Sequence, residues 1–526
     1  MKERKAEYKP LSFSTTMRNP ERIVSFLSCI LPFEGKILDN DIIHEVAVNL
    51  IQNKLYYTQQ YEMKVSEYKK IYQNEESEFS REQVEDIIKN SPQQHKEAGF
   101  DAGWPSRFDT WYKISMEFGF IYYAMNEPIQ ISTTGHMLID AYRETPVNNE
   151  KIKDVFLNAL MKYQTNNPFR KTENKNNPLI LLLQVIELLK NDSDENGAGI
   201  YRNELPLIIC WPDNNAKNIY NMIKEIRKKY KFKYGEEIIY EICLKLLNAD
   251  SSKKNRFKMK QITGEAVDEF IRKMRITGII SLRGQGRFLD FNTFEKERIA
   301  YILTNYSNYK SNFVSKHEYF IYMGNIDTKI LSIKQSGTTK EVEDIKIRTL
   351  NSWATENSSE MIINELLSLY KNSETKNNLL KVLDRPTRLE FLTSIALVQH
   401  FDNLSVHPNY HVDDEGLPTF TAAGGLADIE CFDEDCNSLV EVTLMCSKNQ
   451  AICEIPAITR HLQEKIETSP EKINFSIFIA PSIHKDTEYM VGYSKHQYGI
   501  DIKAINIPNF VEQISSKNKI IEMLDL

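Results

Sequence analysis

No stretch of this chain is long and apolar enough to cross a bilayer. A spanning helix needs about 18–20 apolar residues in succession, and the longest apolar run, NPLILLLQVIELL (177–189), is broken by Gln184 and Glu187. It reads as a core helix instead. The opening MKERKAEYKP is polar and holds no signal-peptide core. Cysteine is sparse: seven residues at 29, 210, 243, 431, 436, 446 and 453, none in a CxxC pair. An odd count without ligand spacing excludes a disulfide framework and argues against structural zinc, so reduced thiols are expected. An excess of positive charge is also missing. With 66 Lys and Arg against 73 Asp and Glu, the net charge is −7, so any affinity for nucleic acid must come from local patches. There is no internal repeat and no coiled-coil heptad. These absences predict a soluble, cytoplasmic protein.

What remains is an ordinary globular composition, 41% hydrophobic and 26% charged over 526 residues, enough for about three domains. Its most informative feature lies near the C-terminus. LADIECFDEDCNSLVEVTLM (426–445) is two apolar-alternating runs joined by the polar turn DEDCN. Alternation places Asp428 and Glu430 on one face of the first strand and Ile429 and Cys431 on the other. It places Glu441 and Thr443 together on the second strand, opposite Val440, Val442 and Leu444. The hairpin therefore brings Asp428 and Glu441 together at the border of an apolar core, where carboxylates are rare unless paired or bound to metal. Carboxylates are hard oxygen ligands suited to Mg²⁺ or Mn²⁺, and such an ion activates water for phosphodiester hydrolysis.

The flanks supply more groups in order. RPTRLEFLTSIALVQHF (385–401) has helical periodicity and carries Glu390 between Leu389 and Phe391. CEIPAITRHLQEKIE (453–467) starts a helix at Pro456, with Glu454 just before it and His461 within it. INFSIFIAP (473–481) is a short buried strand, and a first strand is expected somewhere within 404–421.

The N-terminal half predicts two helix–hairpin units. One lies at 104–137, with a helix from Pro105, a hairpin about Asn126-Glu127 and the cap of a further helix. The other lies at 261–292, with a helix over Gly264–Arg275 and strands joined by Arg283-Gly284-Gln285-Gly286-Arg287. The second has the layout of a winged helix: a helix able to enter a major groove, then a basic wing. Basic residues cluster over 251–287 and again in KEIRKKYKFKYG (224–235), although such runs are more often solvated faces. The candidate DNA contacts are Arg18, Asn19, Arg22, Arg107, Lys113, Lys258, Lys260, Arg272, Lys273, Arg275, Arg283 and Arg287. Trp111 reads as core.

The runs TAAGGLADIE, LVEVTLMCSKNQ and CEIPAITRHLQEK, with SFSTTMRNPERI (12–23) near the start, resemble the AlwI family of type IIS restriction endonucleases, which includes strand-specific nicking relatives. The family pattern of a helix Glu, a strand Asp, a strand Glu in E-V-T, a later Glu and a His in T-R-H falls on Glu390, Asp428, Glu441, Glu454 and His461. The resemblance implies an α+β multidomain fold: recognition subdomains at 1–150 and 151–300, the latter winged-helix-like, a helical linker at 301–380, and a PD-(D/E)XK nuclease domain at 381–526. It implies a bacterial enzyme cutting double-stranded DNA outside a short asymmetric site. Asp428, Glu441, the Val442 carbonyl and Glu390 are then the Mg²⁺ (or Mn²⁺) ligands. It also implies a cognate methyltransferase and, for double-strand cleavage, a homodimer or a small second nuclease subunit. Ala427 stands where many such nucleases have Pro, and Thr443 where the general motif has Lys; Lys448 or His461 is the candidate replacement for that charge. An inert DNA-binding protein and a structure-specific nuclease stay open as alternatives.

Overall fold

The computed structural model describes residues 6–11, 17, 19–58, 61–74, 77–144, 147–193, 197, 199–249, 256–308 and 313–524. They form a mixed α+β protein of two compact units. One holds the described residues up to Glu144 together with Asn148–Ser336; the other holds Val147 and the residues from Gly337 onward. The stretch expected as a helical linker, 301–380, is thus not one piece. Among the described residues no helix is long and apolar enough to cross a membrane, and all seven cysteines are free thiols.

In the first unit, α1 (Trp104–Glu117) has Pro105 in its first turn and buries Phe108, Trp111, Tyr112 and Ile114. It ends where Gly119 takes the left-handed conformation, φ +74°. The chain then pairs β1 (Ile121–Tyr122) with β2 (Gln130–Ile131), antiparallel, and Ser132 caps α2 (Thr133–Arg143) by accepting from the Gly135 N–H. A Cβ at Gly119 would stand 2.2 Å from the Met323 Cβ and 2.9 Å from the Gly324 nitrogen. Steric overlap and positive φ act together there, so Gly119→Ala is expected to destabilise the protein by at least about 1–2 kcal/mol, seen as a lower thermal midpoint.

The apolar run forms α3 (Pro178–Lys190), buried nearly all round. Further on, β3 (Ile200–Tyr201) joins the hairpin that follows α4 (Ala266–Arg275). That hairpin is β4 (Ile280–Arg283) and β5 (Phe288–Phe291), in an antiparallel sheet of order β3-β5-β4. Its turn runs through Gly284, Gln285 and Gly286, all at positive φ. The predicted apolar face of α4, Val267, Phe270, Ile271 and Met274, is buried, but so are Glu269, Lys273 and Arg275.

The second unit begins with α5 (Thr339–Glu356) and α6 (Ser359–Tyr370), both packed on α7 (Arg385–His400). The Trp353 and Phe391 rings meet at 5.1 Å, and the Gln399 amide donates to the carbonyls of Ala354 and Asn357. After α7 come β6 (Ser405–Pro408), β7 (Tyr410–Val412), β8 (Pro418–Ala422), β9 (Ile429–Phe432), β10 (Cys436–Val442), α8 (Ile455–Thr468), β11 (Ile473–Ala480), α9 (Lys485–Tyr498), β12 (Asp501–Asn506) and α10 (Ile507–Ser516). Five strands make one sheet of order β12-β11-β10-β9-β6, and β7 pairs with β8 apart from it. The neighbours β10, β11 and β12 are parallel; β9 runs antiparallel to β10, and β6 to β9. The first strand expected within 404–421 is β6.

Strand β10 is buried along almost its whole length, not on alternate residues. A strand with a parallel neighbour is covered on both faces. One of those faces carries Leu439, which packs with Ile455, Ile458 and Leu462 of α8 and Phe478 of β11.

Candidate active site

The site stands where β9 and β10 part. Their ladder pairs Val440 with Ile429, so the next position sets Glu441 opposite Asp428. Each acid accepts a main-chain N–H from the opposite strand: the Asp428 N–H donates to Glu441 Oε2 at 3.3 Å, and the Val442 N–H donates to Asp428 Oδ2 at 2.8 Å. Cross-strand partners point to the same side of a sheet, here toward α8. From that helix His461 Nδ1 reaches Glu441 Oε1 at 2.9 Å. One turn later Lys465 meets Glu430, the next residue of the Asp428 face, at 3.1 Å.

Glu390 comes from α7. The residue is 3% exposed, and its carboxylate accepts the Ala422 N–H at 3.0 Å through Oε2. Glu454 is half-buried at the end of a wide π-type turn (Gln450–Glu454) that leads into α8, and the nearby Thr443 hydroxyl favours its charged form. Turns of this kind often mark functional sites. Lys448 is exposed in the segment between β10 and that turn.

The electrostatics are those of converging like charges. Burial, then the Glu441 charge, pushes the Asp428 carboxyl well above the usual range, against the opposing pull of the Val442 N–H. Glu390 is raised well above its ordinary value by burial first and by Asp428 next. Burial also raises Glu454, with Glu441 adding to it. The largest charges acting on these three acids are those of other acids.

Among the described residues no group of three or more His, Cys, Asp or Glu side chains is arranged as a ready metal cage. The donor set nevertheless suits Mg²⁺, which takes one or two carboxylates, keeps several waters and draws its remaining oxygens from a phosphate substrate. Asp428, Glu441 and the carbonyl at the end of β10 provide hard oxygens, and the unbalanced acid charge favours a cation.

A residue that sequence reasoning missed is Asn409. Its main-chain N–H donates to the Asp428 carbonyl and its side-chain amide to the Ala427 carbonyl, each at 2.8 Å. This grip holds the main chain at Ala427 and Asp428. Only the Pro408–Asn409 step at the end of β6 hinted at it.

The candidate DNA contacts in the first unit divide by placement. Arg22, Lys258, Lys260 and Arg287 are exposed. Arg107 donates to His95 at 2.8 Å and stacks over Tyr56, and Lys113 stands 3.6 Å from Glu97. Asn19 bonds Glu21 just before an N-terminal helix, Arg22–Ile30. Arg272 is half-buried, and Arg283 is turned back onto Asp290 and the Phe291 carbonyl. Two expectations are corrected. Lys273 is wholly buried and donates to Glu269 and the Met17 carbonyl at 3.1 Å, and Arg275 is buried as well, so neither presents its charge to a groove. Arg18 lies outside the described residues.

A family model described as AlwI restriction endonuclease matches residues 116–385 and 339–512, well over half of the chain. No curated protein matches. Among solved structures, the small subunit of the heterodimeric restriction endonuclease R.BspD6I is similar at 23% identity over 30% of this chain and 76% of that one, with a TM-score of 0.25. Restriction endonuclease FokI is similar at 10% identity over 99% of this chain and 98% of that one, TM-score 0.28. Its DNA-bound form is similar at 10% identity over the same shares, TM-score 0.24. With TM-scores this low, the site rests on its own geometry and on the family match.

Proposed function

The chain belongs to the AlwI restriction endonuclease family, and from that premise we propose a type IIS enzyme. It hydrolyses one phosphodiester of double-stranded DNA at a short distance outside a short asymmetric site, with a divalent metal. The observation that carries this reading is the meeting of Asp428, Glu441 and His461 at the end of β10. The order α7, β6, β9, β10, α8, β11 supports a PD-(D/E)XK nuclease core. The division into two compact units supports a reader separate from the cutter. In the first unit the helix–hairpin pieces support a reader of helices and wings, with exposed Arg22, Lys258, Lys260 and Arg287 as phosphate or base-edge contacts.

Asp428, Glu441 and the Val442 carbonyl would hold Mg²⁺ or Mn²⁺, with Glu390 as an outer ligand; when bound, the ion supplies Lewis acidity toward water and phosphate. Glu441 also fixes the tautomer of His461. A carboxylate accepts, so Nδ1 carries the proton and Nε2 is left to take one from the attacking water. His461 thereby fills the place of the missing motif lysine. Glu454 orients that water or the leaving oxygen. Only one such acid site is found among the described residues, so a lone chain nicks. Cutting both strands takes a second copy or a small second nuclease subunit. Within its restriction–modification system, a methyltransferase of the same specificity protects the host DNA, and both act in the bacterial cytoplasm.

Incubation with supercoiled plasmid tests the reading. Open circles that form in Mg²⁺ and not in EDTA are expected, and linear product would signal that a second active site has joined. Plasmid left supercoiled in both Mg²⁺ and Mn²⁺ would overturn it.

The raised carboxyls make a second expectation. A group with a folded pKa above its unfolded one binds protons more tightly when folded. Its contribution is therefore lost as pH climbs from the ordinary carboxylate range through the raised value, and it is unfavourable above that. In EDTA at neutral pH, Asp428→Asn should melt higher than wild type, and the gap should close as pH falls. Mg²⁺ should raise the wild-type midpoint and leave that of Asp428→Asn nearly unmoved. Thermal melts across pH check both.

A further inference from the structure

Tyr410 is 1% exposed, and its hydroxyl has no hydrogen-bond partner. Buried tyrosine hydroxyls normally find one: here Tyr112 donates to the Phe26 carbonyl, Tyr163 to Glu117 and Tyr234 to Glu204, whereas Tyr319 in the first unit shares the lack and has no acid of the site beside it. An unmet buried hydroxyl costs about 1–3 kcal/mol, so its presence beside an acid cluster calls for a reason.

Its position suggests one. Strand β7 pairs with β8 so that Tyr410 stands opposite Ala422, whose N–H holds Glu390 Oε2. The ring of Phe391, the residue after Glu390, meets the Tyr410 ring edge-on at 5.9 Å. The negative charges that act on the hydroxyl are those of Glu390 first and Glu343 second. Toward an ionised carboxylate, the form a bound cation favours, a phenol can act only as donor.

We propose that Tyr410 is a positioning residue, whose hydroxyl donates to the Glu390 carboxylate in the metal-loaded site and, with the Ala422 N–H, fixes how Glu390 faces Asp428. The proposal rests on the nuclease reading above. Tyr410 acts through Glu390 and touches neither water nor phosphate.

Tyr410→Phe separates this from a merely structural ring, since it keeps the ring and removes only the oxygen. In metal-free protein the thermal midpoint should stay or rise, because an unsatisfied group has been removed. Mn²⁺ affinity by calorimetry should fall severalfold. The kcat for plasmid nicking should fall about tenfold to a hundredfold, the usual consequence of losing a hydrogen bond to a charged group, with KM for DNA unchanged. Unchanged kcat and Mn²⁺ affinity in an active wild-type background would overturn the proposal alone. So would a lower metal-free midpoint, which would mean the hydroxyl already had its partner. A wild-type protein that fails to cut would take away the nuclease reading and this proposal with it.

Discussion

Glu441→Ala is expected to abolish metal-dependent cleavage, a loss on the order of 10³-fold or more, while leaving the fold and DNA binding intact. The size follows from what one carboxylate does at this point. In the proposed reading it would be a ligand for an ion worth several kcal/mol to the transition state; it also accepts the Asp428 N–H and meets His461. Nothing comparable is lost in stability. Glu441 adds to the repulsion on Asp428, Glu390 and Glu454, so its removal relieves strain as it opens a small gap. Glu441→Gln should behave alike, since an amide keeps the shape and loses the charge. Plasmid conversion reads the activity, fluorescence anisotropy with labelled duplex reads the binding, and a thermal melt reads the fold.

The opposite signature is expected of Glu204→Ala in the first unit. Glu204 is fully buried and accepts from Arg227 Nε and Nη2 at 2.9 and 2.7 Å, from the Tyr234 hydroxyl at 2.7 Å and from the Tyr201 N–H at 2.9 Å. Removing it takes from the buried Arg227 guanidinium its buried carboxylate partner. Breaking one partner of a buried ion pair costs about 3–5 kcal/mol. Both DNA binding and cleavage should fail together with a large drop in the thermal midpoint. A double replacement, Glu204→Met with Arg227→Met, should recover part of that loss, because an apolar pair leaves no uncompensated charge. If Glu204→Ala melted like wild type, the network would carry no stability.

How far the sequence could be read follows from the range over which each feature is decided. Alternation within 426–445 was enough to set Asp428 beside Glu441, because a hairpin is local and its register is imposed by the apolar face. Helical periodicity likewise placed Glu390 and His461 on the helices that deliver them. Features set by distant partners were not legible. β10 is buried on both faces because β11, some 35 residues on, lies parallel to it, and no pattern inside β10 announces that. Lys273 looked like a groove-facing base on a basic helix, yet its nitrogen is held by Met17, at a separation of 256 residues. The π-type turn that presents Glu454 and the grip of Asn409 on Asp428 are properties of packing, without a composition of their own.

In the proposed reading the Asp428–Glu441–His461 site cuts at a distance set by a separate reading unit. Run-off sequencing of both strands of plasmid treated with the protein and Mg²⁺ tests it most directly. Strand ends at one fixed offset from a single short asymmetric sequence, absent with EDTA and with Glu441→Ala, are the predicted result. Ends scattered without regard to sequence, or ends that persist in Glu441→Ala, would contradict it.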